Sequence, residues 1–207
     1  MNKVLRRIHL DNKRFVTSEE IKEYCRIYRA NYYNTIRNLL SRGYLVRIFK
    51  GIFYVKNFDE VKLNRLDVSH LELISRGLEL KGVENWYFGL YTALKLNNVT
   101  HEYYPVDYVI SDKIFRYKNI DIVGYKIRFI KLKGDLFKFG IIEDRYRFSD
   151  LEKTVLDFIY IWRYNGIPVE KITMDISGYI EGVSKDKIRR YSMYYPRTIR
   201  SIIEALI

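Results

Sequence analysis

Residues 17–56 read TSEEIKEYCRIYRANYYNTIRNLLSRGYLVRIFKGIFYVK, and the expectation for the fold starts here. Thr17 with Glu20 three residues on has the form of a capping box, in which each side chain satisfies an orphan N–H of a first helical turn. Val16 and Ile21 supply the hydrophobic staple that accompanies it. Ile21, Tyr24, Cys25 and Tyr28 recur at helical spacing and mark an inward face. A second helix is expected over residues 31–42, stopped by Gly43, with Tyr32, Ile36, Leu39 and Leu40 inward. Tyr44–Phe49 and Ile52–Lys56 then flank Lys50-Gly51, a hairpin signal. A short helix over residues 3–10, with Val4, Leu5 and Ile8 inward, precedes the stretch. Helix, turn, helix and hairpin in this order are those of a winged helix-turn-helix.

The outward face of the second helix of that stretch carries Asn31, Tyr33, Asn34, Arg37, Asn38 and Ser41, and neither Glu nor Lys. Arginine pairs with guanine and asparagine with adenine across the major groove of duplex DNA. Arg29, Asn31, Tyr33, Asn34 and Arg37 are therefore the candidate groove contacts. Arg47 and Lys50 on the hairpin are the candidate phosphate contacts, which set register without reading sequence. Charge points the same way. The chain carries +12, and residues 1–57 hold 13 Lys and Arg against 4 Asp and Glu, while residues 58–207 hold 24 against 21. A basic segment joined to a near-neutral one suits a polyanion partner.

Beyond a short polar linker near residues 57–60, helices are expected over residues 62–81 and 86–96. A strand-rich block follows. Val106, Tyr108 and Ile110 alternate with Asp107, Val109 and Ser111; Tyr125–Phe129 has a clean period of two; Phe137–Phe139 and Tyr146–Phe148 are shorter. Ser149 and Glu152 have the spacing of another capping box, and Leu151, Val155, Phe158, Ile159 and Trp162 form the helix behind it. Helices over 169–180, 185–191 and 196–206 close the chain. The expected class is α+β. A winged helix-turn-helix domain, residues 1–57, precedes an α/β effector domain, residues 58–207, with a small, mainly antiparallel sheet and a C-terminal helical part.

Several function classes find no support in the residues. The single cysteine, Cys25, excludes an internal disulfide and a multi-thiolate metal site, and its place on a helical apolar face reads as packing. The N-terminus shows no signal-peptide pattern and no apolar run reaches ~20 residues, so a cytoplasmic protein without membrane contact is expected. His9, His70 and His101 stand in no ligand-spaced motif, and no phosphate-binding or nucleophile motif occurs. Neither a metal nor another cofactor is expected. Asp107 and Asp121 could together hold a magnesium ion on neighbouring strands, but the Gly-Ser signature of such sites is missing, and no catalytic residue is assigned. The many strand aromatics could offer stacking platforms for bases, though their position on the apolar phase favours core packing.

Three segments, LLSRGYLVRIFKGIFYV, WYFGLYTALKLNNVTHEYYPVDYVIS and FSDLEKTVLDFIY, resemble the AbiEi-type antitoxins of type IV toxin–antitoxin, or abortive infection, systems. Together they cover about 90 residues, and the LEKTVLD helix is the most specific. The resemblance implies a DNA-binding N-terminal domain that represses its own operon at inverted repeats in the promoter. It also implies a C-terminal domain that counters a nucleotidyltransferase-like toxin. Glu152, Lys153, Thr154 and Asp157 match motif positions, although capping and packing explain most of that pattern. Lys153 and Asp157, four apart, could pair along the helix for ~0.3 kcal/mol. The competing expectation is a protein-interaction module that docks or neutralises a partner without sequence-specific DNA binding.

Overall fold

The computed structural model describes residues 2–207 of an α+β chain. Helix α1 (Lys3–Leu10), strand β1 (Phe15–Thr17), helices α2 (Ser18–Ile27) and α3 (Tyr32–Ser41), and strands β2 (Leu45–Phe49) and β3 (Ile52–Val55) open the chain. They form a three-stranded antiparallel sheet in the order β1-β3-β2, beside three helices. The local reasons are those legible in the sequence. Thr17 and Glu20 close a reciprocal capping box at the start of α2. Val4, Leu5, Ile8, Val16, Ile21 and Leu39 are fully buried in one core, with Cys25 beside them. Asn31 caps α3, and Gly43 follows it with φ +70, a conformation open to glycine at little cost.

Two expectations fail between residues 57 and 96. A single helix over 62–81 is replaced by α4 (Phe58–Lys62) and α5 (His70–Leu80), because Asn57 and Ser69 each cap a new start. The expected helix over 86–96 is strand β4 (Trp86–Phe88) followed by α6 (Leu90–Leu96). Trp, Tyr and Phe favour a pleated, buried surface, and Leu90 at φ +52 breaks the chain direction between the two elements.

The first compact unit runs to Glu84 and takes in Ile122–Gly124, past the boundary drawn after residue 57. α4 and α5 belong to it for packing reasons. Glu60 is buried and accepts hydrogen bonds from the Tyr54 hydroxyl (2.6 Å) and the Asp67 N–H (2.8 Å), and Arg14 pairs with it at 3.2 Å. Gly77 of α5 lies directly against Ile48 and Phe49 of β2.

The second unit holds the remaining strands, β5 (Val106–Ser111), β6 (Ile120–Ile122), β7 (Tyr125–Lys131), β8 (Ile141–Glu143) and β9 (Arg147–Ser149), with β6 ending at the unit's edge. The sheet is six-stranded and mixed, in the order β6-β7-β5-β4-β9-β8. It corrects the small, mainly antiparallel sheet expected: β5 runs parallel to β7, and β4 parallel to β9. The strand at its centre, β4, was hidden in a segment that reads as helix. Phe137–Phe139 forms no strand; residues Gly134–Phe137 make a 3-10 turn. Helices α7 (Leu151–Tyr164), α8 (Val169–Ile180), α9 (Lys185–Ser192) and α10 (Arg197–Leu206) complete the unit. Nine residues of α7 between Glu152 and Ile161 are buried, so it is the axis of this core rather than a cover on it. Among the described residues no helix is long and apolar enough to cross a membrane.

Candidate nucleic-acid interface

α3 is held down by Thr35, Ile36 and Leu39, while Tyr32 and Leu40 are half-buried. That leaves Tyr33, Asn34, Arg37, Asn38 and Ser41 outward, as the helical period requires. Beside α3 runs a groove of about 1250 Å³, walled by the β2–β3 hairpin, the start of α2 and the end of α5. Tyr33, Asn34, Arg37, Arg47 and Lys50 all line it. Five of the seven candidate residues thus share one surface although they come from two elements.

The other two stand apart. Asn31 spends its side-chain oxygen on the N–H of Asn34 (2.9 Å) as the cap of α3. Arg29 is exposed in the turn before α3, with φ +51, and does not line the groove. The structure adds Lys22 and Lys81, which the sequence reading passed over. Lys22 lies on the polar face of α2, with its ammonium 5.4 Å from the Tyr32 ring centre. Lys81 comes from the end of α5, a helix that sequence spacing could not bring here. The groove therefore gathers five cations, Lys22, Arg37, Arg47, Lys50 and Lys81, against one carboxylate, Glu19.

The polar side chains are partly prearranged. Arg37 donates to the Asn34 oxygen at 3.2 Å, and Tyr33 is 78% exposed with its edge against Tyr32. The Arg47 guanidinium sits 5.7 Å from the Phe53 ring centre, which limits where its charge can swing. Such a surface can take a polyanion: an outward helix with forked and amide donors, flanked by cations on a hairpin.

The fold as a whole has a solved counterpart. The crystal structure of the Rv2827c protein from Mycobacterium tuberculosis matches 99% of this chain and 74% of its own length, with a TM-score of 0.62 at 13% identity. At that identity the likeness concerns the fold alone. No protein-family model matches the chain, and no curated protein matches it.

The motif on α7 occupies a different kind of place. The capping box expected from Ser149 and Glu152 does not form. Asp150 is the cap, accepting from the Lys153 N–H at 2.9 Å. Glu152 instead reaches the Ser184 N–H (3.0 Å) and the Lys187 ammonium (2.9 Å), tying α7 to the start of α9. Burial would raise the Glu152 carboxyl, but Lys187 and these N–H donors hold it below its ordinary value.

Lys153 and Asp157 do pair, at 3.5 Å, but both are wholly buried rather than on a solvated helix face. Asp157 also accepts from the hydroxyls of Tyr87 (2.8 Å) and Tyr195 (2.6 Å). The Lys153 ammonium lies 4.8 Å from the Tyr87 ring centre and 4.7 Å from that of Phe139. Burial pushes the Asp157 carboxyl up and the Lys153 ammonium down, against their mutual attraction. Gly140, at φ +64, permits this approach, since a Cβ there would stand 2.8 Å from the Lys153 Cβ. The cluster is sealed from solvent, and what it does in the fold is join β4, α7 and the chain around Tyr195.

Asp107 and Asp121 are not brought together. Asp107 is buried and accepts from the Thr92 hydroxyl at 3.0 Å, whereas Asp121 is exposed on β6. With β7 between their strands they are separated by about 10 Å of sheet, too far to share one ion. Among the described residues no cluster of three or more His, Cys, Asp or Glu is placed to hold a metal.

Proposed function

We propose that the chain is a duplex-DNA-binding transcriptional regulator whose first unit acts as a winged helix, and that it works as an AbiEi-like antitoxin repressing its own promoter. The observation that carries this reading is the groove beside α3, where Tyr33, Asn34 and Arg37 meet Arg47 and Lys50 of the hairpin. α3 would enter the major groove. Arg37 and Asn34 would address base edges, while the hairpin and Lys22 would hold the flanking phosphates. The LEKTVLD helix supports the antitoxin part by resemblance, with a nucleotidyltransferase-like toxin as the functional partner and inverted repeats as the operator.

Gel-shift titration on the duplex upstream of the chain's own gene tests the assignment of the helix. Arg37→Ala should lose about 1–3 kcal/mol and relax base preference at one position. Lys50→Ala should weaken all sequences alike and reduce the salt slope by ~1. Unchanged affinity and preference in Arg37→Ala would remove α3 from the interface. It would leave the reading of a protein-docking module in its place.

A further inference from the structure

The second unit has its own open groove of about 1070 Å³, between the face of β5 and β7 and the end of α7. In the β5–β7 register Tyr108 stands beside Arg128, on the same face of the sheet. The loop over residues 112–119 carries Phe115 and Tyr117 along one wall, and Tyr164 stands at the end of α7 on the other. These three rings are 62%, 79% and 84% exposed. None of them packs on another ring among the described residues, whereas Tyr91, Phe158 and Trp162 nearby are consumed by one another. A single exposed ring is ordinary, but three lining one groove make the kind of exposed apolar surface that marks a binding site.

The charge of the groove is one-sided. Arg128, Lys131 and Lys133 line it and no carboxylate does. Arg128 is already aimed, donating to the Tyr117 carbonyl (2.6 Å) and to the Asn119 side-chain oxygen (3.3 Å). Lys131 and Lys133 are both exposed at the end of β7, and Lys133 also helps hold the nearby Asp135 carboxyl below its ordinary value.

We propose that this groove binds a short single-stranded stretch of nucleic acid, with bases stacked on Phe115, Tyr117 and Tyr164 and phosphates held by Arg128, Lys131 and Lys133. Stacking rings spaced along a cationic groove are what an unpaired strand needs, because every base has a π-face and every linkage a charge. A duplex does not fit this chemistry, since its bases are already stacked and out of reach of the rings. An acidic protein segment would satisfy the cations but would leave three exposed rings without partners. The site lies wholly in the second unit and does not depend on the duplex surface beside α3.

The test uses the full chain and a fluorescein-labelled oligo(dT) octamer, read by anisotropy, with a mononucleotide as competitor. Tyr117→Ala and Tyr164→Ala, both at exposed positions, should each weaken binding by at least ~5-fold. Lys131→Gln with Lys133→Gln should lower the salt slope by ~1.4. Arg37→Ala should leave the octamer bound as before. The proposal fails if the octamer does not bind or if Tyr117→Ala and Tyr164→Ala bind it unchanged. It fails equally if Arg37→Ala abolishes binding, which would place the strand on the first unit. Competition by a mononucleotide as effective as that of the octamer would also overturn it, in favour of a small-ligand pocket.

Discussion

At the scale of single residues, buried charge separates what this chain is built on from what it presents. Glu60 is fully buried, and burial alone would raise its carboxyl. The N–H donors of Asp67 and Asn57, the Tyr54 hydroxyl and Arg14 outweigh that and hold it below its ordinary value. A carboxyl whose folded pKa is depressed contributes stability that is complete above its unfolded pKa and is lost as pH falls through the folded one. Glu60→Gln should therefore cost about 2 kcal/mol at pH 7 in urea unfolding. The wild-type and variant curves should converge below about pH 4. The Lys153–Asp157 pair makes a second case. Its spacing in the sequence shows that the two can meet. It does not show that Tyr87, 66 residues before Lys153, and Tyr195, 42 after it, close over them. Removing one partner strands the other, so Lys153→Met should destabilise by about 3–5 kcal/mol. Lys153→Met with Asp157→Leu should cost less than the sum of the single changes, a coupling of about 1–3 kcal/mol measured by a double-mutant cycle.

At the scale of elements, local signals were legible where they end in caps and periods. Thr17 with Glu20, the α3 apolar stripe and the Lys50-Gly51 turn each say in a few residues what they become, but β1, which adds a third strand to the expected hairpin, carries no such signal. Failure came where tertiary packing decides. Trp86–Phe88 is apolar on every side, and such a run carries no period to tell strand from helix. Its place at the centre of the sheet is set by β5 and β9, which sequence cannot pair. Ser149 with Glu152 matched a capping box, yet Asp150 sits one residue nearer and takes the cap, freeing Glu152 for Lys187. α5 offers a test of how closely it meets β2. Alanine favours helices over glycine by about 1 kcal/mol. A Cβ at Gly77, however, would lie 2.7 Å from the Phe49 ring and 2.9 Å from an Ile48 methyl carbon. Gly77→Ala should lower thermal stability, by a net of up to about 2 kcal/mol, because overpacking outweighs propensity.

At the scale of the whole molecule, charge was a coarser guide than the placement of individual cations. Redrawn at Glu84, the first unit holds 17 Lys and Arg against 10 Asp and Glu, so α4 and α5 dilute the basic excess of the first 57 residues. What survives is local: five cations and one carboxylate in the groove beside α3. Three of those cations, Arg37, Arg47 and Lys50, were named by the sequence. Lys81 was out of its reach because only the packing of α5 on β2 brings it there. The groove of the second unit was out of reach for the same reason. Its rings sit on a loop and a helix end, where no strand alternation marks them. The proposed grip of the first unit on duplex DNA through α3 and the hairpin rests on this local charge, and salt-dependent binding tests it most directly. With the intact chain and the duplex upstream of its gene, log K should fall linearly with log salt at a slope of about −3 to −5, as a contact with several phosphates requires. Affinity for that duplex should exceed that for a scrambled one by at least ~1000-fold. A flat salt response, or equal affinity for the two duplexes, would contradict duplex recognition by this surface.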